Sequence, residues 1–366
     1  MSAPSLRWLL LATHVPASGS GGGMIRYCVE LARALSARPD VDLHVVATPE
    51  AEEFFTGLLG PGRVHRAPAL PVALRSLVER AGPRLLPVLR QQWDVVHGAK
   101  HLVPRSAGAA TRVLTVHDMN PLDRPADFGA LKRVGLRRPY LDSIADADVL
   151  VCVSAATRAR LLAWAPDAEP RAGVAHLAAS PALLAAEPEA VPELAGRPFV
   201  VMVGDSSPRK NLALAFRIWP GVVAARPDAV LAVVGPPSWG PSQLGAAAPL
   251  VAGGQVALLG HRSDGELSWL YRNAAAVLCP SQLEGFGLPV VEGEALGVPV
   301  LVSDDAAMGE VSRAGTTALS PHDPAAWQAA VLAALDGRLP AAPAPESTRT
   351  WADVAAETVE QVRRAR

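Results

Sequence analysis

The chain has 366 residues, half of them hydrophobic and 19% charged, with a formal net charge of −1. That length carries two domains with separate cores, the composition is globular rather than disordered, and the near-neutral balance gives no basis for binding nucleic acid or for bulk attraction to an anionic membrane. Cys28, Cys152 and Cys279 are odd in number, far apart and set in apolar sequence, which predicts reduced core residues and not a disulfide framework or zinc site. No apolar run is long enough to span a bilayer, and the opening MSAPSLRWLLLATHV reads as a first buried strand, not a signal peptide. The expectation is a cytoplasmic protein.

From the N-terminus, apolar runs at 7–12, 42–47, 94–97, 112–116 and 148–153 alternate with helical spacing, first over 24–36 through Ile25, Cys28, Leu31 and Leu35. Such alternation predicts a doubly wound α/β sheet. The loop SGSGGG at 18–23 supplies Gly19 and Gly21, but the last glycine of G-x-G-x-x-G would fall on Met24. Helix and strand then lack the close packing that a dinucleotide-binding motif requires. A phosphate or acceptor loop and a plain turn both fit this stretch. Residues 74–93 mix Leu and Val with Arg75, Arg80, Arg84 and Arg90 and are cut by Pro83 and Pro87. A solvated, proline-broken helix pair is expected there, with peripheral contact at the inner membrane face as the alternative. His117 follows the run at 113–116. It therefore stands at the carboxyl edge of a parallel strand, where ligand sites gather, although a structural histidine also fits. Ser154 is placed to cap the next helix.

The pattern dissolves into Ala, Pro and Glu over 172–193, as a linker does. A second set of apolar runs follows at 198–203, 230–234 and 256–259. After the first comes GDSSPRKN at 204–211, a Gly-led loop opening a helix, with Arg209 beside Lys210 in a chain whose other lysines are only Lys100 and Lys132. A planar guanidinium next to a point charge suits a diphosphate; a solvated surface pair is the plainer alternative. Ser263 is placed to cap a helix over 264–273. Two short buried strands, at 275–278 and 298–302, then bracket Glu284-Gly-Phe-Gly-Leu-Pro289 and a helix expected to carry Glu292 and Glu294 near its start and to end at Gly297. Gly285 and Gly287 let backbone approach a ligand, and Pro289 suits a first helical turn. Glu284 and Glu292, eight apart, suit the vicinal hydroxyls of a sugar or ribose better than a phosphate. A lone helix-start carboxylate accounts for only one of them. Gly309-Glu310-Val311 reads as another edge turn, and 351–366 as a helix beyond a Pro-rich link at 340–345. No Asp-x-Asp or His cluster stands out as a metal holder, so none is expected.

The segment SQLEGFGLPVVE at 281–292, continuing to Gly297-Val-Pro-Val300, resembles the E-x7-E signature of retaining glycosyltransferases of family four, which have the two-domain GT-B fold. It departs at Gly293, Glu294 and Leu296, where the family has Ala, Met and Cys; these read as packing variation behind the site. The resemblance spans nearly the whole chain. Gly22, Gly23, Arg26 and Tyr27 match a family loop, with Ile25 where a final glycine is usual. His117 matches a residue that reaches the transferred sugar, Pro208 to Asn211 match residue for residue, and Arg262 lies on a turn that in relatives sits beside the nucleotide base.

The resemblance implies two Rossmann-like domains facing a central cleft. Residues 1–175 would bind the acceptor, 176–197 link, 198–345 bind a nucleotide sugar, and 346–366 return as a helix to the N-terminal domain. The implied reaction moves a sugar from a nucleoside-diphosphate sugar, a co-substrate with no separate cofactor, to a hydroxyl of a glycan, lipid-linked or small-molecule acceptor. It would retain the anomeric configuration and need no metal. By the same resemblance Arg209, Lys210 and the helix start after Gly287 serve the leaving diphosphate, Glu292 the ribose, and Glu284 a sugar hydroxyl or the phosphate's surroundings. His117 completes the reacting set, and Gly22, Gly23, Gly204, Arg262, Gly285, Phe286, Gly287 and Leu288 line the donor. A nicotinamide-dependent oxidoreductase, a non-catalytic sugar-nucleotide sensor and a same-fold epimerase are the alternatives.

Overall fold

The computed structural model describes residues 5–69, 78–128, 130–236, 244, 247–340 and 349–366, with the backbone alone for 130–134. The chain divides into two compact units, Met1–Leu177 with Thr350–Arg366, and Ala178–Arg349. Unit 1 is built on β1 (Leu6–Leu11), β2 (Val41–Ala47), β3 (Val64–Arg66), β4 (Val95–Gly98), β5 (Thr111–Val116), β6 (Val149–Cys152) and β7 (Ala172–Val174), in the order β3-β2-β1-β4-β5-β6-β7. Unit 2 uses β8 (Phe199–Val203), β9 (Val230–Val234), β10 (Val256–Gly260), β11 (Val277–Cys279), β12 (Val300–Ser303) and β13 (Thr317–Leu319), in the order β10-β9-β8-β11-β12-β13.

Every strand pairing recorded is parallel. The central strands read as unbroken apolar runs (FVVMV, VLAVV, VLVS) because helices cover both faces. In unit 2 the face under the helix Leu212–Ala225 packs Phe216, Trp219 and Val222 with Trp327 and Val331, and the other packs Leu270, Tyr271 and Val290 with Val201 and Val300. Strand order reverses direction between β1 and β4 and again between β8 and β11. Each unit thus has a switch point at its carboxyl edge, where open α/β sheets take ligands. The helix Trp351–Ala365 packs on Gly23–Ser36 in unit 1, where Trp351 meets the Tyr27 ring and Arg363 pairs with Asp40 at 2.8 Å.

Four local expectations need correction. The stretch 172–193 is not plain linker: it holds β7, a helical turn Pro181–Ala185 and a 3-10 turn Pro192–Leu194, with Leu183, Val191 and Leu194 buried. Its Ala and Pro content hid short elements anchored by single Leu and Val side chains. Gly309-Glu310-Val311 is helical, closing Ala306–Val311, whose cap is Asp305 accepting from Ala307 N at 3.0 Å. Around 74–93, Arg75 lies outside the described residues; 78–81 is helical, and 3-10 turns Gly82–Arg84 and Pro87–Arg90 follow in place of a second helix. Arg80 is buried there, bonded to Asp146 at 2.6 Å and Val103 O at 3.1 Å, so it belongs to the core and not to a basic face. Finally, Glu292 and Glu294 lie beyond the first turn of Leu288–Ala295, which carries no acidic residue. The Pro-rich link falls outside the described residues after Pro340. Among the described residues no helix is long and apolar enough to cross a membrane.

Candidate active site

The loops after β8 and β11 flank the unit 2 switch point and are tied to each other. Gly204 N bonds to Val234 O at 2.9 Å, extending β8 by one residue; Asp205 Oδ1 then accepts from Ser207 N at 3.0 Å to start the turn. Arg209 and Lys210 sit on a 3-10 turn, Pro208–Lys210, ahead of the helix Leu212–Ala225. Between them and the helix, Asn211 adopts φ +55°, a left-handed conformation that Asn tolerates better than most residues. Its Nδ2 donates to Pro280 O at 3.1 Å and Pro321 O at 3.3 Å, while Gln282 N bonds to Arg209 O at 2.7 Å. These bonds fix the cation-bearing turn against the β11 loop.

Glu284 occupies the centre of this junction. Its carboxylate is buried and meets Lys210 Nζ at 2.6 Å on one oxygen and Arg209 Nη1 at 2.9 Å on the other, with Ser281 Oγ donating to it at 2.7 Å. Burial alone pushes its pKa up, but Lys210, Arg209 and the hydrogen bonds from Lys210 and Ser281 outweigh that and hold it at about 2. It is an anion throughout the working pH range. The two half-buried cations are balanced by buried Glu284 and by Asp205, 3.9 Å from Arg209 at the half-exposed rim. Beside it opens a recess of about 390 Å³ of solvent-connected space, lined by Gly204, Lys210, Cys279, Ser281, Glu284 and Met308 among others.

The loop then turns into Leu288–Ala295 at Gly287, whose φ of +110° puts it in a region that side-chain-bearing residues avoid. Phe286 before it is buried. Pro289 has no N–H, and the Val290 N–H bonds to Gly287 O at 2.9 Å, so this helix start offers fewer donors than an ordinary one. Weight for holding an anion shifts to Arg209 and Lys210. Glu292 is buried in the same helix and accepts a hydrogen bond from Tyr271 Oη at 2.9 Å.

Other predicted residues are placed differently. Arg262 directs its guanidinium to Glu266 and Glu193, both at 2.7 Å, and to Leu259 O at 2.9 Å, which ties its turn to the 3-10 turn Pro192–Leu194. In unit 1, His117 stands after β5, buried, with Nε2 bonded to Ala99 O at 2.9 Å and its ring edge-on to Tyr27 at 4.7 Å. Bonding Nε2 to a carbonyl requires the proton there, which leaves Nδ1 as the acceptor. Burial is the main cause that lowers the pKa of His117, to about 4, so the ring is neutral. Gly22 precedes the helix Gly23–Ser36 in an extended conformation, and a side chain on it would meet nothing within 4 Å. No fold requirement therefore explains glycine at that position.

Asn211 was legible only as part of its motif, and Ser281 and Tyr271 were not singled out; the partners of Asn211 and Tyr271 lie far along the chain, while Ser281 bonds to Glu284 three residues on. Sequence reasoning also missed a group in unit 1 where His14 and His101 share an electrostatic neighbourhood with Lys100 and His117. Gly293 and Glu294 are more than packing variation. A Cβ at Gly293 would sit 2.9 Å from Val277 Cγ2, so the helix lies too close to β11 for alanine without a shift; Glu294 Oε1 accepts from Arg313 N at 2.8 Å and Thr316 Oγ1 at 2.6 Å. Among the described residues no three His, Cys, Asp or Glu side chains gather into a metal-holding group.

Comparison with solved structures gives the fold's class. The chain is similar to sucrose-phosphate synthase from Thermosynechococcus elongatus (TM-score 0.67, 17% identity, 98% of this chain and 94% of that one) and to Anabaena HepE in complex with UDP and glucose (TM-score 0.65, 16% identity, 98% and 97%). With two doubly wound units and a ligand-edge signature in the second, the molecule is a glycosyltransferase of the GT-B fold. The family described as "Glycosyltransferase Family 4" matches residues 21–172 and that described as "Glycosyl transferases group 1" matches 186–351, and this chain belongs to that family. Among curated relatives it is 28% identical to the O-antigen chain mannosyltransferase B of Escherichia coli, over 69% of this chain and 70% of that one. It is also 28% identical to the D-inositol 3-phosphate glycosyltransferase of Acidothermus cellulolyticus, over 90% and 83%.

Proposed function

We propose that the protein transfers a glycosyl group from a nucleoside-diphosphate sugar, bound by unit 2, to an acceptor hydroxyl bound by unit 1, with retention at the anomeric carbon and without a metal ion. The observation that carries this reading is Glu284 holding Arg209 and Lys210 together at the switch point of unit 2. As the sugar departs, negative charge develops on the diphosphate. Two fixed cations in a partly desolvated recess stabilise that charge without reorganising, the task a divalent ion performs in other transferases. Gly204 and the 285–288 backbone allow the phosphates to come close, Glu292 holds the ribose diol, and Gly22, Gly23 and His117 are the candidates of unit 1 for contact with acceptor and sugar. Because the charge of Glu284 is spent on two cations, it is a poor nucleophile. This speaks against a covalent glycosyl-enzyme and for attack from the leaving group's own face. A cytoplasmic location belongs to the same reading.

The test is turnover across a panel of nucleotide sugars with and without EDTA, with NMR assignment of the product anomer. An α donor giving an α product, at an unchanged rate in chelator, is expected. An inverted product, or activity lost in EDTA and restored by one divalent ion, contradicts the proposal.

A further inference from the structure

We propose that Tyr271 is a positioning residue for the donor: its hydroxyl sets the orientation in which Glu292 accepts the ribose hydroxyls, and so makes the enzyme discriminate ribose from deoxyribose. The inference rests on the reading of Glu292 as the ribose ligand. Tyr271 stands near the end of the helix Asp264–Asn273, which starts at a capping box of Ser263 and Glu266 and so has a defined register. Its side chain is fully buried in the core face with Leu270, Val277 and Val290, and its hydroxyl reaches Glu292 Oε2 at 2.9 Å, 21 residues on and also buried.

A Glu side chain has three rotatable bonds, and without a fixed partner it can turn its carboxylate several ways. A phenol anchored by a packed ring removes that freedom at one oxygen. A carboxylate has about four lone-pair sites, so accepting from Tyr271 does not exhaust its capacity for ribose hydroxyls. The phenol also supplies a donor to a buried carboxylate, which is costly to leave without one. Glu292 is thereby oriented before the donor arrives, and less binding energy is lost to ordering.

The test uses the full chain and measures calorimetric affinities for UDP, GDP and their 2′-deoxy counterparts, continuing with the nucleotide that binds tighter. Wild type should prefer the ribonucleotide by roughly tenfold, a ratio that a hydrogen-bonded hydroxyl can supply. Glu292→Gln should abolish the preference. Tyr271→Phe should shrink it at least threefold and raise the donor KM while kcat stays within about twofold, because ribose contacts are made equally in ground and transition states. The double variant, which leaves no unpaired buried charge, should match Glu292→Gln alone. Tyr271→Phe keeping the full ribose preference, or a double variant binding worse than Glu292→Gln, overturns the positioning role. A ribose preference that survives Glu292→Gln instead removes the ribose reading itself, and the role of Tyr271 with it.

Discussion

Glu284 and Glu292 share a loop and its helix, but their surroundings assign them different work. Glu284 is fixed by two cations and Ser281 beside the recess, and Glu292 by Tyr271 further along the helix. Replacing Glu284 with Gln keeps the shape but frees Arg209 and Lys210 from their common anchor. The expected result is a kcat lower by about two orders of magnitude, the scale set by losing one preorganised electrostatic contact. Glu292→Gln should instead raise the donor KM about tenfold with a smaller change in kcat. Steady-state kinetics on both variants decides it, and reversed profiles would mean that sugar and ribose lie the other way round along this loop. The two glutamates were legible in the sequence because their spacing is local. Tyr271 was not, since nothing in a helical LYRN marks a hydroxyl whose partner is 21 residues away. Asn211 was legible as part of a motif, while its left-handed φ of +55° and its bonds to Pro280 and Pro321 required the fold.

At the level of elements, the helix Leu288–Ala295 is held by a close approach at Gly293 and by the contacts of Glu294. Gly293 lets it settle onto β11 and β12, and Glu294 reaches outward from it to Arg313 N and Thr316 Oγ1, which lead into β13. Glu294→Ala removes the acceptor for both donors. It should destabilise unit 2 by about 1–3 kcal/mol, the scale of hydrogen bonds made to a carboxylate, since the donors themselves, on exposed Arg313 and half-buried Thr316, can turn to water. Gly293→Ala should add a smaller loss from the approach to Val277. Urea unfolding checks both; an unchanged midpoint for Glu294→Ala would show that water replaces the carboxylate without loss. Strands such as β8, β9 and β12 could be read from sequence because parallel strands buried on both faces need unbroken β-branched runs. β7 and β13, three residues each, are too short to show any period. Gly309 misled because glycine inside a six-residue helix looks like a turn when the Asp305 cap goes unnoticed.

At the scale of the whole molecule, both units lose stability on acidification, but over different pH ranges. In unit 1 burial first, and neighbouring charges second, lower His14 and His97 to about 3 and His117 to about 4, against an ordinary 6.5. The unfolded chain then binds protons that the folded one refuses, so this stability is complete above pH 6.5 and is lost as pH falls toward 4 and below. Glu79, raised by burial to about 7 from 4.5, works the other way: its contribution is present below 4.5 and lost as pH rises through 7. The histidines lowered by burial, His101 among them, outnumber it. In unit 2 Glu284, depressed from 4.5 to about 2, contributes fully above 4.5 and loses that only as pH drops toward 2. Hydrogen exchange corrected for intrinsic rates should therefore show unit 1 losing protection relative to unit 2 between about pH 7 and pH 5. Equal losses in both would contradict this assignment of buried neutral histidines.

In the proposed reaction Arg209 and Lys210, held by Glu284, receive the diphosphate of the donor. Calorimetry of the wild type and of the Arg209→Ala, Lys210→Ala double variant tests this directly, using the affinity for a nucleoside diphosphate relative to its monophosphate. Charge-assisted contacts to the terminal phosphate should give the wild type a preference of about tenfold or more for the diphosphate, and the double variant should bind the two nucleotides alike while still binding the nucleoside portion. A double variant that keeps the full preference would contradict the claim and place the diphosphate elsewhere in unit 2.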